Sequence, residues 1–291
     1  MSGVDPARGL LSGRDVRRLA ATVDFRPRKA RGQNFVVDPN TVRRIVRLAD
    51  VSAADTVLEV GPGLGSLTLA LLDARAQVVA VEIEPVLARL LPDTARDFAG
   101  SAAAAQLRVL PADALAVTAG ELPWTPSALV SNLPYNVAVP VLLGLLERVP
   151  SLVRGLVMVQ QEVAERLTAP AGGRVYGAPT VKLSWWASAE LAGRVSREAF
   201  WPVPNIDSAL VAFRRHPPPQ THVTYPSFAD VVGAAFGQRR KTLRSALADW
   251  AGSAGRAERV LVAAGIDPGR RGETLLAADF AAVAAAARDV E

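Results

Sequence analysis

Six consecutive residues, with the sequence SNLPYN at positions 131–136, combine groups that could activate an amine. They follow an apolar run at residues 128–130 that predicts a buried strand, and ligands bind at the carboxyl ends of strands in open α/β sheets. Asn132 offers a side-chain carbonyl and Leu133 a backbone carbonyl, so one amine could donate both of its hydrogens to them. The exocyclic amine of adenine is a poor nucleophile because its lone pair is delocalised into the ring. Two such acceptors would favour a pyramidal, reactive nitrogen.

Proline and aromatic residues could hold the base that carries this amine. Pro134 fixes φ and has no N–H to compete for the acceptors, and Tyr135 supplies a face on which a base can stack. A proline-stiffened loop at residues 200–208 carries Phe200, which could close on the second face of the base. A strand-to-helix turn and a proline-rich turn are the alternatives for these two stretches.

A glycine-rich loop predicts a cofactor site. The sequence GPGLG at residues 61–65 separates a predicted strand at 56–60 from a helix that begins at Ser66. The next predicted strand, 77–81, leads to Glu82, about 20 residues beyond the first glycine, where an acidic side chain can bind ribose hydroxyls. Strand, glycine loop, helix, strand and acid in this order predict a cofactor that contains a nucleoside.

The spacing of the glycines favours one cofactor over another. The dinucleotide motif has two residues between its second and third glycines, whereas this loop has one, and no basic residue lies nearby to neutralise phosphates. S-adenosylmethionine, which has no phosphate, therefore fits better than NAD. Asp113 follows the third predicted strand, residues 107–110, and could accept a hydrogen bond from an adenine amino group. A loop cap is the alternative for Asp113.

Composition excludes several other classes of site. The chain of 291 residues has no cysteine, which excludes disulfides and thiolate metal sites, and its two histidines both lie near a proline run, so no metal is expected. The length favours one large domain and a smaller one. No apolar run long enough to span a membrane and no signal-peptide pattern occurs, so a cytoplasmic location is expected.

Charge is distributed unevenly along the chain. Residues 1–50 carry a net charge of +6, residues 51–150 of −5 and residues 151–291 of +4. Two basic ends around an acidic middle suit a polyanion held by the ends and a small cofactor held in the middle. The biased composition of an arginine-rich and alanine-rich chain is the alternative explanation.

Both ends carry basic segments. Residues 1–30 are predicted to form a basic, flexible extension with one short helix, capped by Ser12 and Asp15, and the basic run at 26–31 is either a phosphate-contacting arm or a solvated tail. After a linker at 214–220, residues 222–291 are predicted to be helical. The sequence QRRKTLR at 238–244 is predicted to open a basic helix, which is either a nucleic-acid grip or a solvated surface.

Five stretches, in this order, resemble the ribosomal RNA adenine N6,N6-dimethyltransferase family, and within it the small-subunit branch. They are GQNF at 32–35, EVGPGLG at 59–65, NLPYN at 132–136, the loop at 200–208 and QRRKTL at 238–243. The resemblance runs from about Arg28 to the C-terminus. It implies an α/β fold, with a Rossmann-like S-adenosylmethionine-dependent methyltransferase domain at 31–215, an antiparallel last strand, and a small C-terminal α-helical RNA-binding domain at 222–291. Trp201 is bulkier than the small polar residue usual in relatives, and Val203 stands where they often have proline.

The resemblance also implies roles for individual residues. The target base and its amine would be contacted by Asn132, Leu133, Pro134, Tyr135 and Phe200. S-adenosylmethionine would be bound by Gln33, Asn34, Val36, Glu59, Gly61, Gly63, Glu82, Asp113, Ala114 and Asn132. RNA would be bound by Arg28, Lys29, Arg31, Arg239, Arg240, Lys241 and Arg244.

The implied activity is methyl transfer to N6 of two adjacent adenosines in a 3′-terminal hairpin loop of 16S rRNA, within the 30S subunit or its precursor, as a step of small-subunit biogenesis. A monomer without metal or membrane contact is expected. One alternative is a 23S rRNA adenine dimethyltransferase of the macrolide-resistance type, although those relatives tend to carry phenylalanine in place of Tyr135. Another is a 30S assembly factor whose catalysis is dispensable.

Overall fold

The chain divides into two compact units in the computed structural model, which describes residues 9–27, 32–219 and 222–290. The first unit consists of Met1–Ala164 and Glu190–Arg215, and the second of Glu165–Ala189 and His216–Glu291. The predicted domain boundaries differ from these units in one respect. They place the segment Glu165–Ala189 in the methyltransferase domain, whereas it belongs to the second unit. Its Trp185 lies against Phe228 in the core of the second unit, with ring centroids 4.5 Å apart, and this packing explains the division.

The nine strands of the described chain are β1 (Phe35–Val36), β2 (Thr56–Val60), β3 (Gln77–Glu82), β4 (Leu107–Pro111), β5 (Ala128–Asn132), β6 (Arg154–Gln160), β7 (Ala187–Val195), β8 (Phe200–Trp201) and β9 (Ser208–Arg215). Seven of them form the sheet on which the first unit is built, in the order β4-β3-β2-β5-β6-β9-β7. Strands β2 to β6 pair in parallel, and β9 pairs antiparallel to β6, which confirms the predicted α/β fold and its antiparallel last strand.

The order of the sheet fixes where a ligand can bind. Strand β2 lies between β3 and β5, so the chain progresses in opposite directions on the two sides of the β2–β5 pair. Such a reversal leaves a crevice outside the carboxyl ends of the strands. These strands are almost continuously apolar, as expected when helices cover both faces of a parallel sheet.

The helices of the first unit are α1 (Gly13–Thr22), α2 (Pro39–Leu48), α3 (Ser66–Asp73), α4 (Pro85–Ala99), α5 (Ser101–Ala104) and α6 (Ala138–Arg148). A seventh helix, α7 (Gln161–Leu167), begins in the first unit and continues into the second. Side chains cap the N-termini of α1 and α2, the first two helices of the first unit. The carboxylate of Asp38 accepts hydrogen bonds from the backbone amides of Asn40 and Thr41, and Pro39 occupies the first turn of α2, which confirms the predicted start of this helix.

Helix α1 is part of the core rather than a flexible extension. The predicted capping box of Ser12 and Asp15 is present. Val16 and Leu19 are buried in a cluster with Leu64 of the glycine loop, and the other buried members are Leu11, Ala20, Phe35, Leu69, Leu87 and Phe98. The prediction of a flexible segment is therefore wrong for this helix, because its apolar face is covered.

A short two-stranded ladder joins two segments that the sequence indicates as loops. Strands β1 and β8 pair antiparallel, with Phe35 opposite Trp201 and Val36 opposite Phe200. The ring of Phe35 stacks on that of Trp201 at 6.3 Å and meets the edge of Phe25 at 6.0 Å. The bulk of Trp201 thus packs within the same cluster as helix α1.

The second unit is helical around one aromatic core. Its helices include α8 (Ala178–Leu183), α9 (Tyr225–Gly237), α10 (Leu243–Ala246), α11 (Ala248–Ala251), α12 (Ala254–Ala263) and α13 (Ala277–Asp289). Phe228 and Phe280 are both fully buried there. Within the described residues of the chain, no helix is long and apolar enough to cross a membrane.

Residues 238–242 form a turn, not the predicted start of a basic helix. Helix α9 ends at Gly237, and α10 begins only at Leu243. The backbone amides of Leu243 and Arg244 donate to the carbonyls of Arg270 and Pro268, so a neighbouring loop fixes the first two residues of α10. Helix propensity of the basic residues is overridden here by these contacts.

Candidate active site

One cavity of about 330 Å³ lies at the carboxyl edge of the sheet and collects the predicted cofactor residues. All ten of them line it: Gln33, Asn34, Val36, Glu59, Gly61, Gly63, Glu82, Asp113, Ala114 and Asn132. They come from β1 and the residues just before it, from β2 and the glycine loop that follows it, from the ends of β3 and β5, and from the loop after β4. Contact between these residues and a cofactor stays a prediction.

The glycine loop is packed closely against its surroundings. Gly63 has φ of +58°, and a Cβ atom on it would lie 2.5 Å from Cε1 of Phe35. The missing side chain therefore lets the loop approach Phe35 while its backbone amide donates to Oε2 of Glu82 at 3.1 Å. This amide bond fixes the loop to the end of β3.

Glu82 is a buried carboxylate held by two backbone amides. Its side chain accepts from Gly63 N on Oε2 and from Glu84 N on Oε1, the latter at 2.9 Å. Burial raises the pKa of Glu82, and the two donating amides oppose that rise. Each carboxylate oxygen can accept a further hydrogen bond, so Glu82 can still receive a pair of hydroxyl donors from the cavity.

Glu59 is the most deeply buried acid of the site. It is 2% exposed and accepts a hydrogen bond of 2.6 Å from the hydroxyl of Thr68. Burial raises the pKa of Glu59 to about 8, so the carboxyl group is mostly protonated at neutral pH. Glu59 therefore adds little negative charge to the cavity.

Asp113 also lines the cavity and lies on an exposed turn after β4. Its Oδ1 accepts from the backbone amide of Leu115 at 2.9 Å. Asp113 therefore caps its loop, which is the alternative considered for it. The cap uses Oδ1, and Oδ2 can accept a further hydrogen bond.

The amide of Asn132 is oriented by a single contact. Its Nδ2 donates to the backbone carbonyl of Asn34 at 3.0 Å, and its Oδ1 is buried without a hydrogen-bond partner among the described residues. A carbonyl can only accept, so the nitrogen must face Asn34 and the oxygen must face away from it. A buried acceptor without a donor is costly and marks a place where a ligand's N–H is expected.

A second, wider groove of about 580 Å³ adjoins the first cavity. Both are lined by Gly32, Asn34 and Asn136, so these residues lie between them. Tyr135 lines the groove, and its hydroxyl hydrogen-bonds that of Ser208 at 2.6 Å. The half-exposed side chains of Val203 and Ile206 form part of the opposite rim, together with Pro204 and Asn205.

The remaining target-site predictions have different outcomes. Pro134 lines the first cavity, and the side chain of Leu133 is buried while its backbone amide donates to the carbonyl of Met158. Phe200 is only 1% exposed, pairs with Val36 in the β1–β8 ladder and belongs to the core. It lines neither of the two cavities, and its role in stacking stays a prediction.

Several lining residues escaped the sequence interpretation. Apolar side chains make up much of the cavity wall: Ile83, Leu87, Val137 and Val141. Ile83 is 60% exposed and directly follows Glu82. Its place next to the predicted ribose-binding acid was the one sequence feature that could have identified it as a lining residue. Ser66 also lines the cavity, and its buried hydroxyl has no partner among the residues described.

The predicted RNA-binding residues fall into three groups. Arg28, Lys29 and Arg31 lie outside the described residues. Within the second unit, Arg239 pairs with Glu273 at 2.8 Å and Arg244 with Glu258 at 2.7 Å. Arg240 and Lys241 are exposed on the turn at 238–242. RNA binding by these residues stays a prediction.

No cluster of three or more potential metal ligands occurs in the described part of the chain. The acidic residues that line the cavity are instead held by amides, a hydroxyl and the side chain of Gln33, which donates to Glu84 at 3.1 Å.

Comparisons with known proteins agree with this site. A family described as Ribosomal RNA adenine dimethylase matches residues 24–287. A protein of Thermobifida fusca named Ribosomal RNA small subunit methyltransferase A is 61% identical over 94% of this chain and 95% of its own length. A protein of the same name from Kineococcus radiotolerans is 60% identical over 95% of this chain and 91% of its own.

Solved structures share the fold. A dimethyladenosine transferase from Plasmodium falciparum superposes with a TM-score of 0.68 at 20% identity, over 86% of this chain and 95% of that one. The 23S rRNA methyltransferase ErmE gives 0.62 at 26% identity, over 87% and 99%. On the match to the family and to these relatives, the chain belongs to the ribosomal RNA adenine dimethylase family.

Proposed function

We propose that this chain transfers methyl groups from S-adenosylmethionine to N6 of two adjacent adenosines in a 3′-terminal hairpin loop of 16S rRNA, in the 30S subunit or its precursor. The proposed chemistry is supported mainly by the unpaired Oδ1 of Asn132, which lies beside residues shared by the two cavities. The choice of 16S rRNA as the substrate is supported by the relatives named small subunit methyltransferases.

The first cavity would hold the cofactor, which supplies an activated methyl group on a sulfonium. Glu82 would receive the ribose hydroxyls and Asp113 the adenine amino group, while Ile83 and Val137 supply apolar surface for the base. No residue needs to form a covalent bond, so the protein contributes position and orientation.

The target amine would be held at the boundary of the two cavities. Its hydrogens would be accepted by Oδ1 of Asn132 and by the backbone carbonyl of Leu133. Because Nδ2 of Asn132 is anchored on Asn34, the acceptor is oriented before the base arrives. Holding both hydrogens favours a pyramidal nitrogen whose lone pair is free to attack.

The target base would reach this point through the wider groove. It must leave its stack, or already lie in a loop, to enter. Tyr135 would offer one stacking face, and the exposed side chains of Val203 and Ile206 would cover the base from the rim.

The second unit would contribute phosphate contacts through Arg240 and Lys241, and the basic residues at 28–31 would add to them. Action in the cytoplasm as a monomer, without metal, belongs to the same proposal. The large-subunit alternative is supported by the structural likeness to ErmE alone. A role in 30S assembly without catalysis would not need the unpaired acceptor of Asn132.

Replacing Asn132 tests the proposal directly. Asn132→Ala removes the oriented acceptor, so we expect methyl transfer to undermethylated 30S particles to fall by about 100-fold or more, the usual cost of losing correct positioning. Affinity for 30S particles, measured by filter binding, should remain close to that of the wild type. Tyr135→Phe is the matched control, because it keeps the ring and should retain most activity. Near-normal turnover of Asn132→Ala would refute the mechanism.

A further inference from the structure

We propose that Arg148 is a positioning residue for the cofactor cavity, which it serves by fixing the loop that carries Asp113 and Ala114. The inference rests on the proposed function, because it assumes that this loop receives the adenine of S-adenosylmethionine. Arg148 is the last residue of α6 and is half-buried.

The loop between β4 and β5 needs support from outside itself. It spans residues 112–127, and its only regular structure is a short 3₁₀ turn at Ala119–Glu121. Its first residue is tied to the sheet, because the amide of Ala112 donates to the carbonyl of Glu82 at 3.1 Å. Beyond that point, Asp113 bonds to amides of its own turn, at Leu115, Ala116 and Val117.

Arg148 supplies a tie from another element. Its Nε donates to the carbonyl of Val117 at 2.9 Å, and its Nη2 donates to the carbonyl of Ala114 at 3.1 Å. Ala114 and Val117 are buried, so water cannot readily reach them. Without Arg148 their carbonyls would lose a charged hydrogen-bond donor that water could not easily replace. The planar guanidinium reaches both carbonyls at once, which an ammonium group cannot do with the same geometry.

A glycine in α6 leaves room for this guanidinium. A Cβ atom on Gly144 would lie 2.6 Å from Nη1 and 2.9 Å from Nη2 of Arg148. Glycine is a poor helix former, so its place one turn before Arg148 is explained by the space that the arginine side chain needs. Gly144 and Arg148 thus form one packed unit.

Arg148 thereby connects two walls of the same cavity. Helix α6 follows the SNLPYN stretch, and its Val141 lines the cavity, as does Val137 just before it. The loop wall with Asp113 and Ala114 is held to this helix by the guanidinium. Loss of Arg148 should therefore loosen recognition of adenine more than it affects the ribose end at Glu82.

The test compares two ligands that differ at one edge of the base. Affinities would be measured by calorimetry on the full chain for S-adenosylhomocysteine and for S-inosylhomocysteine, which has a carbonyl oxygen in place of the adenine amino group and a hydrogen on N1. In Arg148→Met we expect S-adenosylhomocysteine to bind about tenfold more weakly, the effect of losing hydrogen bonds from a charged donor. The affinity for S-inosylhomocysteine should fall less, so the preference for S-adenosylhomocysteine should be smaller in Arg148→Met than in the wild type. Arg148→Lys should recover only part of this preference.

Arg154→Met is the matched control. Arg154 is another partly buried arginine whose guanidinium donates to backbone carbonyls, at Ala49 and Asp50, and it does not line the cavity. This variant should lower the melting temperature while leaving ligand preference unchanged. Gly144→Ala, which displaces the guanidinium without removing it, should move the preference in the same direction as Arg148→Met.

Two outcomes would overturn the inference. One is an unchanged affinity and preference in Arg148→Met. The other is an equal loss in Arg148→Met and Arg154→Met, which would indicate general destabilisation. Methyl transfer by the wild type to 30S particles, measured in parallel, distinguishes these failures from failure of the proposed function itself.

Discussion

The side chain of Asn132 is fixed at one end and unpaired at the other, and this asymmetry is what a positioning group needs. Its nitrogen is occupied by the carbonyl of Asn34, so its oxygen, which has no partner among the described residues, is presented to whatever enters the buried space beside it. The residue type could be identified from the sequence. Its orientation could not, because Asn34 lies 98 positions away and only the folded chain brings the two together.

Glu59 makes stability depend on pH. In the unfolded chain its pKa is near 4.5, and in the folded protein burial raises it to about 8. Between these values the folded state holds a proton that the unfolded state has lost, so stability falls as pH rises through this window. Glu59→Gln cannot titrate and keeps an acceptor for Thr68. The stability of the variant relative to the wild type should therefore increase from pH 5 to pH 8, as measured by urea unfolding.

Glu121→Gln provides the control for this prediction. Glu121 is exposed, and hydrogen bonds from Thr118 lower its pKa, so it is mostly ionised in both states across the same window. Its substitution should change stability by the same amount at pH 5 and pH 8. A pH-independent effect of Glu59→Gln would contradict the protonated state assigned to Glu59.

At the scale of elements, the β1–β8 ladder holds the two sides of the site together. It joins the segment of Asn34 and Phe35, which lines the cofactor cavity, to the loop whose Val203 and Ile206 line the groove. Phe35 lies between Gly63 on one side and Trp201 on the other. The glycine loop and the target loop therefore share one supporting ring.

Two glycines of the same loop should respond differently to substitution. Gly61 and Gly63 both have positive φ, so alanine at either should cost about 1–2 kcal/mol for the left-handed backbone. A Cβ atom on Gly61 would lie 3.6 Å from its nearest neighbour, whereas one on Gly63 would lie 2.5 Å from Phe35. Gly63→Ala should therefore lose about 1–3 kcal/mol more in denaturant unfolding of the ligand-free protein. Equal losses would show that Phe35 is free to move.

Local motifs were predictable where local chemistry determines them. Strand β2, the glycine loop and the start of α2 follow from apolar runs, from glycines and from the cap at Asp38. The docking of α1 was not predictable, because it depends on contacts with Leu64 and Phe98, far along the chain. The burial of Phe200 has the same origin, since its partner Val36 comes from a segment that reads as a loop.

At the scale of the whole molecule, the chain separates into a sheet-based unit with the cavities and a helical unit with a basic turn. The sequence shows directly that both ends of the chain are rich in basic residues. It could not show that Arg239 and Arg244 form ion pairs with Glu273 and Glu258, because these partners are distant in sequence.

The basic turn of the second unit leads to a prediction about RNA affinity. Replacing Arg240 and Lys241 together by alanine should weaken binding to 30S particles and reduce its salt dependence, by about 0.7 to 0.9 in slope for each phosphate that the protein no longer neutralises. Both side chains are exposed, so affinity for S-adenosylhomocysteine should not change. Filter binding across a salt series measures the slope.

Two exposed arginines of α4 serve as the charge-matched control. Replacing Arg89 and Arg96 by alanine removes the same charge outside the predicted RNA-binding set and should leave the slope nearly unchanged. A similar decrease in slope for both double variants would indicate an effect of net charge alone. It would contradict a specific role for the turn.

The central claim is the choice of target, and methyl transfer to ribosomal particles tests it most directly. Labelled S-adenosylmethionine would be supplied to undermethylated 30S particles and, in parallel, to 50S particles and free 23S rRNA, with the modified positions mapped by primer extension. We predict label in the 30S particles alone, as dimethyladenosine at two adjacent adenosines. Label confined to the large-subunit RNA, or tight 30S binding without any transfer, would contradict the account.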